Sequence, residues 1–212
     1  MKRIKKIKVS IIAIVVIIIV LLGINAFIKL NNKGVERLKK LYNELNSSQT
    51  YLFEMEYDEN TKIIMAQKDG KTIIDQYSEN SHTTTIIKDN NTYLVLHDRE
   101  EYYVYEQNNV EQSILTEGLK EIVDKEFIVD TEKINGKKYL YEEYSGSTMF
   151  MLSNTLNISE EEIKTRFYFD NDDNLVYVRT IKGVNQELVK IKIEKEVDDS
   201  IFEIPSNYAE NS

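Results

Sequence analysis

The sequence contains no cysteine, no tryptophan and a single proline, Pro205. Without cysteine the chain forms no disulfide and offers no thiolate for catalysis or metal binding. With one proline and only seven glycines, it has no proline-rich or glycine-rich spacer between domains. Its 42% hydrophobic and 30% charged residues are typical of a globular protein and too apolar for disorder. The sequence therefore predicts one folded domain with a sizeable core.

Histidine is almost absent, since only His82 and His97 occur in 212 residues. Neither stands at the spacing of a metal-ligand motif, and His97 next to Asp98 is typical of a surface ion pair. The serine-nucleophile elbow, the phosphate-binding loop and the dinucleotide fingerprint do not occur in the sequence. No spacing singles out two glutamates as a hydrolase pair, so a hydrolase is a distant alternative. We expect no enzymatic activity, no cofactor and no metal.

The formal net charge of −9 is unevenly distributed along the chain. Residues 1–8 carry five basic side chains and no acidic one, whereas residues 9–212 contain all 36 acidic residues and 22 of the 27 basic ones. An acidic surface repels phosphate backbones, which argues against a nucleic-acid partner. It favours solubility, and it is compatible with divalent cations or basic partners.

One long apolar run, residues 9–28, consists almost entirely of isoleucine, valine, leucine, alanine and phenylalanine. Its polar interruptions are Ser10, Gly23 and Asn25. A helix of this length, at about 1.5 Å per residue, spans a hydrocarbon core of about 30 Å. Positive charges that flank a span stay in the cytoplasm. We therefore predict a cytoplasmic basic tail (residues 1–8), a transmembrane signal anchor (residues 9–28) and an extracellular domain (residues 29–212).

A cleaved signal peptide is the alternative, but its apolar region is typically about 7–15 residues long and ends at small residues. Here the run is longer, and the weak cleavage site at residues 24–26 begins with a bulky isoleucine. Residues 21–23 resemble a bacterial lipoprotein signal, but Ile24 stands where the lipidated cysteine would be. The sequence favours a single-pass protein of the cell membrane.

Two stretches have the periodicity of amphipathic helices. Apolar residues recur at three- and four-residue steps in residues 34–46, and this stripe favours docking on a sheet over a free stalk because it needs cover. Residues 110–125 have a helical pattern too, although Gly118 weakens it. Residues 147–163 are ambiguous, with an apolar start and a capped helical turn near their end.

Most of the remaining chain alternates between apolar and polar residues, as half-buried antiparallel strands do. The runs are residues 51–57, 61–68, 71–78, 82–88, 92–97, 101–106, 126–134, 137–144, 164–170, 174–182 and 186–197. Short polar turns join them, and Asn135-Gly136 is the strongest hairpin signal. We predict a mainly β (α+β) fold: a curved antiparallel half-barrel of roughly ten strands with an N-terminal helix and helical insertions, preceded by one transmembrane helix. Residues 197–205 are expected to leave the sheet.

Residues 170–174, with the sequence DNDDN, resemble the opening of a calcium-binding loop. Such a loop needs glycine at its sixth and glutamate at its twelfth position, where this chain has Leu175 and Ile181. Because the segment joins two alternating runs, a hairpin turn is the favoured interpretation.

Tyrosine is the unusual component, with 14 residues against seven phenylalanines. Six of them cluster on two predicted strands: Tyr102, Tyr103, Tyr105, Tyr139, Tyr141 and Tyr144. Good strand formation is the ordinary explanation, and an amphipathic cavity lining for an apolar ligand with a polar head is the functional one. The candidate lining of such a ligand cavity is Tyr51, Phe53, Met55 and Tyr57. The opposite face of that strand carries Glu54 and Glu56.

Two segments carry a family resemblance. Residues 169–178, FDNDDNLVYV, form a strand–turn–strand pattern, and residues 198–208, DDSIFEIPSNY, contain the ending Phe-x-Ile-Pro-x-x-Tyr. With the layout of residues 34–208, they make the chain resemble the lipoprotein-carrier superfamily of LolA, LolB and LppX. The resemblance implies a half-barrel closed by helices around an apolar cavity, in proteins that carry lipids or lipoproteins or sense envelope stress. No binding residue is transferred, because the cavity residues of this superfamily form no motif.

An anchored chain does not cross to another membrane, so local binding or sensing is expected in place of shuttling. The first hypothesis is a membrane-tethered extracytoplasmic domain of a bacterial cell envelope that binds a membrane lipid, a lipoprotein segment or an apolar peptide. The alternative is a structural or regulatory interaction protein of the envelope, whose cavity is filled by its own helices and takes no ligand. Both hypotheses allow a protein partner in the envelope.

Overall fold

The computed structural model of the protein describes residues 36–106, 114–146 and 163–211. The predicted cytoplasmic tail, the predicted membrane span and nearly all of the ambiguous stretch 147–163 lie outside these residues. None of the helices in the described part is long and apolar enough to cross a membrane. The membrane anchor therefore stays a prediction.

A curved, open sheet of twelve strands dominates the described residues. In chain order the strands are β1 (Tyr51–Glu56), β2 (Lys62–Lys68), β3 (Lys71–Ser78), β4 (Ser81–Lys88), β5 (Asn91–Leu96), β6 (Glu101–Glu106), β7 (Phe127–Ile134), β8 (Lys137–Ser145), β9 (Ile163–Phe169), β10 (Leu175–Lys182), β11 (Asn185–Glu194) and β12 (Ala209–Asn211). Their order across the sheet is β12-β6-β5-β4-β3-β2-β1-β11-β10-β9-β8-β7. The prediction of a mainly β protein with a curved antiparallel sheet is confirmed.

Two antiparallel meanders build this sheet, β1–β6 and β7–β11, and they meet where β1 pairs with β11. Sequential strands pair within each meander, and short turns join them except between β8 and β9, which residues 146–162 connect. At Asn135-Gly136, positive φ angles of 50° and 79° suit the tight hairpin turn predicted between β7 and β8. β12 was not predicted: it lies parallel to β6, and a strand of three residues is too short to show alternation.

The turn between β9 and β10 is held by its own first side chain. The Asp170 carboxylate accepts hydrogen bonds from the backbone N–H groups of Asp172 and Asn174, each at 2.9 Å. Burial alone would raise the pKa of Asp170, but these hydrogen bonds outweigh it and lower that pKa. The hairpin interpretation of residues 170–174 is thereby confirmed.

Two helices of the described residues, α1 (Arg37–Ser48) and α2 (Ile114–Val123), pack on one face of the sheet. Leu38 and Leu45 of α1 and Leu119 of α2 are at most 3% exposed. They form one hydrophobic core with side chains of β1, β2 and β8–β11. The predicted docking of the first helix is confirmed, because its apolar stripe is covered by the sheet. We call this side of the sheet the helix face and the opposite side the outer face.

Residues 197–208 cross the outer face, and we call them the strap. A second core forms beneath the strap from Ala66, Ile73, Ile86 and Val95 of the sheet. Phe202 of the strap, at the end of a short 3-10 helix, is fully buried there. Lys68 and Lys88 donate hydrogen bonds to the strap carbonyls of Val197 (2.9 Å) and Phe202 (2.8 Å). The Phe-x-Ile-Pro ending noted in the sequence therefore has a packing role.

Candidate functional site

The predicted lining of the ligand cavity lies on the helix face. Tyr51, Phe53 and Met55 of β1 are 3%, 0% and 1% exposed. They share the hydrophobic core with both helices. Tyr57, just after β1, is half-buried and packs against the same core. The structure thus brings all four residues together under α1 and α2, and their role as a ligand lining stays a prediction.

The face of the sheet that carries the buried side chains changes along the first meander. On β1 and β2, the helix-face residues Phe53 and Met65 are buried. On β4 and β5, the buried residues Thr84, Ile86 and Val95 belong to the outer face. The helix-face residues of β4–β6 are half-buried or exposed. Within the described part of the chain, the core under α1 and α2 therefore covers β1, β2 and β8–β11 but does not extend over β4–β6.

We call this less-covered part of the helix face the open half. Its apolar side chains are Ile74, Ile87, Leu94, Leu96, Tyr103 and Tyr105. All are half-buried except Tyr105, which is 52% exposed. Ile74 packs against the helix-face core, so the open half continues that apolar surface toward the β6 edge. There the Tyr103 hydroxyl accepts a hydrogen bond from the Asn211 amide at 3.2 Å. An apolar surface with a polar rim is typical of a site for amphipathic ligands.

The two predicted tyrosine clusters are each divided between the faces, because side chains alternate along a strand. On β6, Tyr103 and Tyr105 belong to the open half, whereas Tyr102 lies on the outer face. On β8, Tyr144 is fully buried in the helix-face core, and the other two tyrosines lie on the outer face. Only the β6 cluster therefore contributes to the open half.

A polar network occupies the outer face of the second meander. Glu132 accepts hydrogen bonds from Arg166 at 2.9 Å, from Arg179 at 2.5 Å and from the Tyr168 hydroxyl at 2.7 Å. Burial alone would raise the pKa of Glu132, but these partners outweigh it and lower that pKa. A network whose members satisfy one another rigidifies a sheet, so we assign it a structural role.

The fully buried carboxylate of Glu142 fixes α1 on the helix face. It accepts hydrogen bonds from the backbone N–H groups of Arg37 at 2.7 Å and Leu38 at 3.2 Å, and from the Tyr144 hydroxyl at 3.0 Å. These N–H groups belong to the first turn of α1, where no intrahelical acceptor exists. Burial raises the pKa of Glu142, although the hydrogen bonds act in the opposite direction.

Glu142→Gln is expected to destabilise the domain by about 1–3 kcal/mol, because the amide nitrogen would face a donor on either side of the carboxylate site. The raised pKa of Glu142 means that the wild-type carboxyl contributes most stability below its unfolded pKa and loses that contribution as pH rises through its folded pKa. The stability difference between wild type and variant should therefore narrow as pH rises. Urea unfolding at several pH values measures it, with the exposed Glu59→Gln as a control that leaves stability unchanged.

The contacts of the two histidines differ from the surface ion pair that the sequence suggested. In place of the predicted surface pair with Asp98, the His97 ring bonds to Thr84 and to Tyr208 of the strap. The Asp98 carboxylate accepts a hydrogen bond from the backbone N–H of His82. Burial and then the neighbouring His82 lower the pKa of His97, so its ring is neutral near pH 7. No local motif signals this arrangement, because cross-strand pairing creates it.

No protein-family model matches the sequence, and no curated protein matches it. Among solved structures, the chain is similar to an uncharacterized conserved protein from Thermus thermophilus, with a TM-score of 0.43, 6% identity, and coverage of 82% of this chain and 97% of that chain. It is also similar to the lipoprotein LppX of Mycobacterium tuberculosis, with a TM-score of 0.43, 10% identity, and coverage of 77% of this chain and 96% of that chain. The resemblance to lipoprotein carriers stays a prediction from the sequence.

Proposed function

We propose that the protein is a membrane-tethered extracytoplasmic domain that binds an apolar ligand with a polar head on the open half of the helix face. An acyl chain of a lipid or of a lipoprotein has this chemistry. The observation that carries the proposal is the change of burial between β2 and β4, which leaves a row of apolar side chains half-exposed beside a packed core.

This row of apolar side chains runs across the strands from β3 to β6, as an extended ligand chain would. Ile74, Thr85, Leu94 and Tyr103 are direct cross-strand partners from β3 to β6. A ligand chain laid across them would remove apolar surface from water, at about 25 cal/mol for each Å². At the β6 end, the Tyr103 hydroxyl and the Asn211 amide supply hydrogen bonds for a polar head.

The sequence supports the tether. Five basic residues precede the apolar run 9–28, an arrangement that favours a cytoplasmic N-terminus and an outer-side domain. A tether of this kind would keep ligand exchange at the membrane in which the chain is anchored.

A self-filled helix face without a ligand is the second candidate. The part of the helix face beneath α1 and α2 favours this second candidate, because Tyr51, Phe53 and Met55 are packed there. In that case the protein would act through contacts with envelope partners.

Photo-crosslinking distinguishes the two candidates. Membranes that contain the full-length chain are incubated with a fatty acid bearing a photoreactive group, and labelled peptides are identified by mass spectrometry. We expect labels on β4–β6. Leu94→Glu should reduce labelling at least tenfold, because an unpaired charge would face the ligand chain at a cost of several kcal/mol.

Ile128→Glu is the matched control, since Ile128 is also an apolar strand residue but lies 62% exposed on the outer face. Its labelling should equal that of the wild type. Unlabelled wild-type protein, or equal labelling of the Leu94→Glu variant, would contradict the proposed site.

A further inference from the structure

Both histidines of the chain meet on the outer face. His82 of β4 and His97, just after β5, stack with ring centroids 3.6 Å apart and planes inclined by 7°. Asp75 of β3 completes the group, with its Oδ1 atom 2.9 Å from His82 Nε2. All three residues are half-buried, and their ligand atoms lie within 4.8 Å of one another. The pairing of β4 with both β3 and β5 places them there.

A chain of hydrogen bonds joins these groups. The Thr84 hydroxyl donates to Asp75 Oδ1 at 2.5 Å, so its oxygen accepts from His97 Nε2 at 2.7 Å. His97 Nδ1 then accepts from the Tyr208 hydroxyl at 3.0 Å. His82 Nε2 also donates to Asp75. The Nε2 atoms of both histidines are therefore directed toward one carboxylate and the hydroxyl bound to it.

We propose that Asp75, His82 and His97 bind a divalent transition-metal ion of the zinc class. Two imidazole nitrogens with one carboxylate oxygen suit Zn²⁺ and its transition-metal neighbours, whereas Ca²⁺ and Mg²⁺ are bound by oxygen ligands. Three protein ligands leave a fourth tetrahedral position, which a water molecule or the Thr84 oxygen fills.

The three ligand atoms lie within 4.8 Å of one another, so a small adjustment of the side chains would bring them around one ion. Bonds of about 2.0–2.1 Å place tetrahedral ligand atoms roughly 3.3 Å apart. The present separation of Asp75 Oδ1 from His82 Nε2, 2.9 Å, is close to that value. The ion would replace the protons that now link the two Nε2 atoms to Asp75 and Thr84. Each ring would stay neutral with its proton on Nδ1, and the Nδ1–H group of His97 would then donate to the Tyr208 oxygen.

One ring must tilt out of the stack, because an imidazole binds a metal ion in its own plane and the two planes are nearly parallel. Each ring also has a second neighbour, because Tyr77 stacks on His82 with ring centroids 4.0 Å apart and Tyr208 bonds to His97 at Nδ1. Outer-shell partners orient metal-binding histidines in this way. Because Tyr208 belongs to the strap, a bound ion would also stabilise the end of the strap on the sheet.

The test uses the untagged full-length chain, treated with a chelator and kept in a mild detergent. With ¹³C-labelled histidine, the two histidines give two sets of ring signals. One equivalent of Zn²⁺ is expected to shift both sets, and Co²⁺ to give the visible absorption of a tetrahedral site. Histidine signals that do not respond to Zn²⁺ would overturn the proposal, and this result needs no variant to fold.

Asp75→Asn and Asp98→Asn form a matched pair, because both remove a carboxylate near His82 but only Asp75 is assigned as a ligand. Outer-shell changes typically weaken metal binding by about 10–100-fold, so loss of the Asp75 ligand should weaken Zn²⁺ binding by more than about 100-fold. Asp98→Asn should change it by less than about tenfold. Equal Zn²⁺ affinity of wild type and Asp75→Asn by calorimetry would place the ion elsewhere. The site lies on the outer face, so its test is independent of the ligand proposed for the helix face.

Discussion

Phe53→Glu is expected to unfold the domain. Phe53 is fully buried between β1 and the helices, so a glutamate there would place a charge in the core without a partner. Such a charge costs several kcal/mol, a large part of the about 5–15 kcal/mol that stabilises a typical domain. Circular dichroism of the full-length chain should show loss of the strand signal and of the cooperative thermal transition.

Leu94→Glu is the matched comparison for this prediction. It introduces the same side chain on the same face of the sheet, but at a half-buried position of the open half. A glutamate at position 94 can reach water, so this variant should fold. If Phe53→Glu folded as well as Leu94→Glu, the space above β1 would be roomy. That result would favour a ligand lining, and not a packed core, for the four predicted residues Tyr51, Phe53, Met55 and Tyr57.

Phe202→Ala is expected to lower the free energy of unfolding by about 3–5 kcal/mol. Phe202 is the fully buried side chain of the strap, and its removal leaves a cavity between the strap and the outer face of β2–β5. For a domain of this size, each kcal/mol lowers the melting temperature by about 2–4 °C, so we expect a decrease of roughly 6–20 °C. Differential scanning calorimetry measures it.

Val184→Ala is the control for the strap, because Val184 is 95% exposed in the turn between β10 and β11. Its melting temperature should equal that of the wild type. A Phe202→Ala variant that melts like the control would mean that the strap contributes nothing to the outer-face core.

Local patterns were sufficient for strands β1–β11 and for the first helix, but not for the three-residue strand β12. The alternation of Tyr51, Phe53 and Met55 with polar neighbours requires one buried face, and the structure buries that face. The Asn135-Gly136 hairpin formed as predicted because its backbone geometry depends on these two residues alone. The apolar stripe of α1 predicted its docking for the same local reason.

Local patterns failed where two distant segments meet. Glu142 follows Tyr141 on β8, like a solvent-facing acid opposite an aromatic residue. It is nevertheless fully buried, because the first turn of α1 lies against it. His82 and His97 belong to no motif, yet they stack because β4 pairs with β5. Side-chain periodicity shows that a strand has two faces, but not which element will cover either of them.

By itself, the sequence determined the strand-rich character of the domain, its hairpin turns, the amphipathic first helix and the acidic surface. Each of these follows from residues close together in the chain, whose preferences act before any long-range contact forms. Only the tertiary structure decided that β1 closes on β11, that burial changes faces between β2 and β4, and that Asp75, His82 and His97 come together. These features depend on which distant segments pair and pack, and that choice is made by the burial of apolar surface over the whole domain.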